Sequence, residues 1–100
     1  MIQVQFKNLE PSVLARDTAV ETLSRVIAQV PETAQSTVQV TLEMKDSNRE
    51  PGPSLFHVQV IFQGGKKNGM AFQQSAKSLY VALADLTDKI LKTLKKERDS

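Results

Sequence analysis

Thr37-Val-Gln-Val-Thr-Leu-Glu-Met-Lys45 carries the cleanest alternation in the chain. Val38, Val40, Leu42 and Met44 share one parity, and Thr37, Gln39, Thr41, Glu43 and Lys45 share the other. Successive side chains of a strand point to opposite faces, so this pattern predicts a strand with one buried and one wet side. Downstream, Asp46-Ser-Asn-Arg-Glu-Pro51-Gly52-Pro53 reads as a loop, because proline and glycine interrupt both helix and sheet. Phe56, Val58, Val60 and Phe62 then predict the inward face of a second strand, with His57 and Gln59 opposite. The turn residues Gly64 to Gly69 lead to a short further strand, where Met70 and Phe72 are expected to point inward.

Upstream, Ile2, Val4 and Phe6 alternate with Gln3, Gln5 and Lys7, which predicts an N-terminal strand. Asn8-Leu-Glu-Pro11-Ser12 turns the chain, and the Ser12 hydroxyl can accept from the free amides of a helix beginning there. A helix over 12–29 is expected, with Val13, Val20, Leu23, Ile27 and Val30 as its apolar stripe, ending before Pro31. The last third is helical from Ser75 or Ser78. Its core face is Leu79, Ala82, Leu83, Leu86, Ile90 and Leu94, within about 100° of arc. The element order β-α-β-β-β-α predicts one α+β domain over 1–100, a two-layer sandwich with two helices on one face of a four-stranded mixed sheet. The helical crossover lets the first two strands run parallel, and the later strands pair as antiparallel hairpins.

One hundred residues suffice for one modest core, hiding roughly 60–70% of the unfolded surface. With 40% hydrophobic and 24% charged residues, the chain has ordinary soluble composition. It has no cysteine, which excludes disulfides, thiolate catalysis and cysteine-ligated metals. No apolar run approaches the length of a membrane span, and the N-terminus lacks a signal peptide's pattern, so a cytoplasmic protein with no membrane partner is expected. The net charge of +2 is unevenly placed: residues 1–50 carry five basic and seven acidic side chains, residues 51–100 eight and four. The excess forms a local basic patch near the C-terminus.

Few residue constellations suggest chemistry. His57, the single histidine, has no orienting partner near it in sequence and reads as a solvated strand residue, not a general base. One histidine and scattered carboxylates offer no metal cluster, so no metal or cofactor is expected. Asp85 and Asp88 lie beside Lys89 and Lys92, a spacing that suggests ion pairs along a helix. The Gly64–Gly69 turn is not a phosphate-binding loop of the GxxxxGK[S/T] type, but Lys66 and Lys67 project from its tip. The strongest feature is Lys89-x-x-Lys92-x-x-Lys95-Lys96-x-Arg98, which suits contact with a polyanion. All four phenylalanines share parity with the buried aliphatics, so any RNA contact is expected through phosphates and shape, not base stacking on the sheet.

The run Leu79-Tyr80-Val81-Ala82-Leu83, then Asp88-Lys89-Ile90 and Leu94-Lys95-Lys96, resembles the ribosome hibernation promoting factor family. Its relatives include the ribosome-associated inhibitor and the sigma-54 modulation proteins. Lys92 stands where that family often has arginine, and Ala84 where it usually has aspartate. The first helix, usually partly basic in the family, is neutral here, with Arg16 and Arg25 against Asp17 and Glu21. The resemblance implies a short-form, non-enzymatic translation inhibitor without a small-molecule substrate. Its partner would be the rRNA of the small ribosomal subunit, at the channel for messenger and transfer RNA. On that reading Lys89, Lys92 and Lys96 meet phosphates, with Lys66, Lys67, Lys77 and Lys95 in support. A protein-binding adaptor of the same fold is the alternative.

Overall fold

A computed structural model describes residues 1–45 and 55–99, with side chains up to residue 97. The predicted loop at 46–53 and the side chain of Arg98 lie outside the described residues. The elements are β1 (Ile2–Lys7), α1 (Val13–Gln29), β2 (Thr37–Lys45), β3 (Leu55–Gln63), β4 (Ala71–Ala76) and α2 (Leu79–Asp99). Short 3₁₀ turns span Pro31–Gln35 and Gly65–Lys67. The sheet order is β1-β2-β3-β4: β1 runs parallel to β2, and the two later pairings are antiparallel. This is the predicted α+β architecture. Because β1, β2 and β4 share one direction, both helices return the opposite way and lie parallel, with both amino ends beside the β2 carboxyl end.

Local chemistry sets the boundaries. The Ala15 amide donates to Ser12 Oγ at 3.2 Å, so Ser12 caps α1 as its sequence position predicts. Asn8 holds φ at +53°, a conformation asparagine tolerates, and its Nδ2 donates to the Met44 carbonyl at 2.8 Å. That bond ties the end of β1 to the end of β2. At the opposite end, the buried Ser36 hydroxyl donates to the Gly64 carbonyl at 2.8 Å. Gly65 sits at φ +69°, and a Cβ there would lie 3.3 Å from Ser36 Oγ, so a glycine answers both backbone and space. The first helical bond of α2 runs from the Ala82 amide to the Ser78 carbonyl at 3.0 Å, while Ser75 lies within β4. Of the two predicted starts, Ser78 is the correct one.

The core fills the space between helices and sheet. All six residues predicted for the α2 face are buried, as are Val38, Val40, Leu42, Val58, Val60, Phe62 and Phe72. Phe62 and Phe72 meet edge to face at 6.1 Å and 88°. Met70 precedes β4 and is half-buried against the core.

The α1 stripe departs from expectation. Ala15, Ala19, Leu23, Val26 and Val30 are buried, Val20 and Ile27 only half-buried, and Val13 is 77% exposed. The buried face is therefore turned roughly a quarter of a revolution from the predicted one. Small alanines bring the helix backbone close to the sheet, and a stripe chosen by side-chain size overlooks them.

Candidate nucleic-acid interface

The lysines of α2 are separated by the pitch of the helix. Lys89, Lys92 and Lys96, at i, i+3 and i+7, share one exposed flank. Lys95 falls on the other flank, where its Nζ donates to Gln29 Oε1 of α1 at 2.9 Å. The seven candidate lysines therefore do not form one surface. Lys67 is drawn in: its side chain is 18% exposed and its Nζ meets Glu97 Oε2 at 3.1 Å. That pair holds the β3–β4 turn against the last turns of α2 and leaves Lys66 exposed beside it. Lys77 precedes the other end of α2, about 18 Å along the helix axis from Lys89.

The predicted pairing of Asp85 and Asp88 with Lys89 and Lys92 is not realised. Among the described residues, no salt bridge within 4.0 Å joins these four, and Lys89, Lys92 and Lys96 take part in none. Exposed pairs gain little Coulomb energy in water against the entropy of fixing two long side chains, so the cations extend into solvent instead. On α1, Arg25 does pair, with Glu21 at 2.8 Å, which cancels its charge. Arg25 lines a groove between the helices with Thr18, Thr22, Tyr80, Thr87 and Leu91. No sequence signal marked that groove, because it exists only once the helices lie side by side.

The open sheet face carries amides and hydroxyls. Gln5, Thr41, Gln59 and Gln73 form one row across all four strands. Lys7, Glu43, His57 and Ser75 form the next, with Lys7 Nζ 3.7 Å from Glu43 Oε2. His57 has partners after all: its Nε2–H donates to Gln73 Oε1 at 3.1 Å, and its Nδ1 meets the Ser75 hydroxyl at 2.7 Å. They come from β4, 16 and 18 residues away, so nothing close in sequence announced them. Both ring nitrogens thereby join a cross-strand network on an open surface. Phe6 and Phe56 are half-buried and Phe62 and Phe72 buried, all on the helix side, so the described sheet face offers no phenylalanine ring for base stacking. Among the described residues no group of three or more potential ligands could hold a metal, and no helix is long and apolar enough to cross a membrane.

Fold and flank define a small two-layer α+β domain whose densest chemistry is a row of exposed lysines on its last helix, without a salt bridge among the described residues. Comparison with known proteins gives this class a family. Residues 2–100 match the model of the sigma 54 modulation protein / S30EA ribosomal protein family, and the chain belongs to that ribosome-associated family. The fold is shared with a ribosomal subunit interface protein from Coxiella burnetii at a TM-score of 0.68 and 15% identity, covering 99% of this chain and 98% of that one. It is shared too with the N-terminal domain of Protein Y from Thermus thermophilus, at 0.64 and 20%, covering 94% and 93%. Among curated proteins, none matches the chain significantly.

Proposed function

We propose that this protein is a non-enzymatic hibernation factor that inhibits translation. It binds small-subunit rRNA at the channel for messenger and transfer RNA, through the exposed flank of α2. The observation that carries the reading is the stripe of Lys89, Lys92 and Lys96, three cations with no salt bridge among the described residues. Cations with no ion pair among the described residues give up no such contact when they meet phosphate, and each one that does so releases counterions from the RNA. Lys66 extends the stripe at the end where the Lys67–Glu97 pair fixes the turn. Lys95 and Lys77 would act as outlying contacts, Lys95 by exchanging its bond to Gln29 for a phosphate. The phosphate backbone is the natural target, because the described sheet face presents no phenylalanine and lysine acts as a point charge, not a base reader.

Sedimentation of the purified protein with small ribosomal subunits through sucrose gradients, at low and high salt, tests this. Comigration at low salt, lost at high salt and lost in the Lys89/Lys92/Lys96→Ala variant, is expected. Protein that stays at the top of the gradient at low salt refutes the reading, and the adaptor alternative then leads.

A further inference from the structure

The α1 flank that the sequence marks as apolar, and the fold leaves uncovered, lies beside a free sheet edge. Val13, Val20 and Ile27 recur every seven residues, so they share one side of the helix. Val20 and Ile27 are half-buried and Val13 stands in solvent. Val13 lines a shallow groove of about 300 Å³ with Val4 and Phe6 of β1, and Arg16 is its one charged residue. The other edge of the sheet differs. Beside β4 runs α2, whose flank away from α1 carries Lys89, Lys92 and Lys96, and cations beside an edge oppose strand addition.

The backbone of β1 is arranged for a partner. The Val38 amide donates to the Met1 carbonyl at 2.8 Å, and Ile2 stands opposite Val38 in parallel register. In that pattern Met1, Gln3 and Gln5 turn their backbone groups to β2, which leaves those of Ile2, Val4 and Phe6 pointing outward. The same three residues present half-buried apolar side chains on the helix side of the sheet. Their sequence, Ile2-Gln-Val-Gln-Phe6, is a palindrome of chemical type: apolar, amide, apolar, amide, apolar.

We propose that two copies of this chain associate through β1, paired antiparallel about a two-fold axis through Val4 to make one eight-stranded sheet. A two-fold interface brings one patch against itself, so the patch must complement its own reverse. About Val4 it does: Ile2 faces the partner copy's Phe6, Val4 faces its own counterpart, and Gln3 faces Gln5. The cation at the strand end, Lys7, already lies against Glu43 at 3.7 Å. The uncovered α1 flanks of both copies meet above the new pairing and bury what the monomer leaves wet. The lysine flank of each α2 lies at the far edges, so this association is independent of the polyanion-binding reading and leaves that surface open.

The absence of cysteine makes the test direct. Opposed residues in a hydrogen-bonded antiparallel pair have Cα atoms about 5.5 Å apart, inside the range of about 4.4–6.8 Å that a disulfide spans. Under mild oxidation Val4→Cys should give a covalent dimer, and Gln73→Cys, at the middle of the opposite edge, should stay largely monomeric. In sedimentation equilibrium the unmodified chain should approach twice the monomer mass as concentration rises. Val13→Lys, at an exposed position and checked for unchanged circular dichroism, should remain at monomer mass. A chain monomeric up to millimolar concentration overturns the proposal. So does cross-linking that is equal for the two cysteines or confined to Gln73→Cys.

Discussion

Replacing Lys89, Lys92 and Lys96 together with alanine removes a stripe whose length is set by the helix rise. From Lys89 to Lys96 is about 10.5 Å along the axis, and a nucleic-acid strand advances about 3.4 Å per phosphate along its own axis. The stripe therefore spans about three phosphates. Each neutralised phosphate contributes about 0.7 to 0.9 to the slope of log affinity against log salt, so the variant should lose about 2 to 2.7 units of slope. Over a salt range of about fourfold, those contacts account for roughly 20- to 40-fold of the wild-type loss of affinity. The measurement is equilibrium binding of labelled protein to small ribosomal subunits across a salt titration, with circular dichroism confirming the fold. Lys77→Ala, a single outlying lysine, should cost at most about one unit of slope. A triple variant that keeps the wild-type slope refutes the assignment of the contact to this flank, as would a Lys77→Ala loss equal to that of the triple.

Three further outcomes follow from packing and backbone. Ile90→Ala, at a fully buried position, should destabilise the domain by about 2–5 kcal/mol in a denaturant titration; a loss below about 1 kcal/mol would contradict the placement of the core. Val13→Ser at low concentration should change stability by no more than about 0.5 kcal/mol, whereas Val26→Ser, at a fully buried position, should cost about 2–4 kcal/mol, because it removes packed methyls and buries a hydroxyl. Equal costs at the two positions would restore the stripe predicted from sequence. Gly65→Ala, at φ +69° and close to Ser36 Oγ, should lower stability by about 1–2 kcal/mol. An unchanged melting temperature would show that the turn relaxes freely.

What was legible in the sequence follows from how local each determinant is. The strands of the sheet and the α2 face could be read because their signals, period two and period 3.6, lie within single elements. The α1 face could not. Its buried positions include Ala15 and Ala19, which contribute through closeness, while the larger Val13 and Val20 draw attention to the wrong flank. The candidate lysines were visible as residues, but their division was not. Lys67 is claimed by Glu97, 30 positions away, and Lys95 by Gln29, 66 positions away. Only the assembled fold says which cations remain free. The ribosomal family resemblance, carried by about twenty residues of α2, extends to a match over residues 2–100.

The order of strands across the sheet also bears on how the chain comes together. β2, β3 and β4 pair in succession with their neighbours in sequence, but β1 has to wait. Its partner begins at Thr37, and its register is closed by a bond from Val38 back to Met1. During synthesis β1 thus emerges without a partner and is held back until an entire helix and then β2 have followed it. Closing that long loop costs more chain entropy than closing a hairpin, and only one neighbour repays it. In the finished protein β1 should be the first strand to detach, taking the α1 contact with it while the β2–β4 meander persists. Native-state hydrogen exchange would see this as a lower opening energy at Val38, whose amide bonds to β1, than at Phe62, whose amide bonds to Met70. Identical opening energies would mean that the domain yields only as a whole.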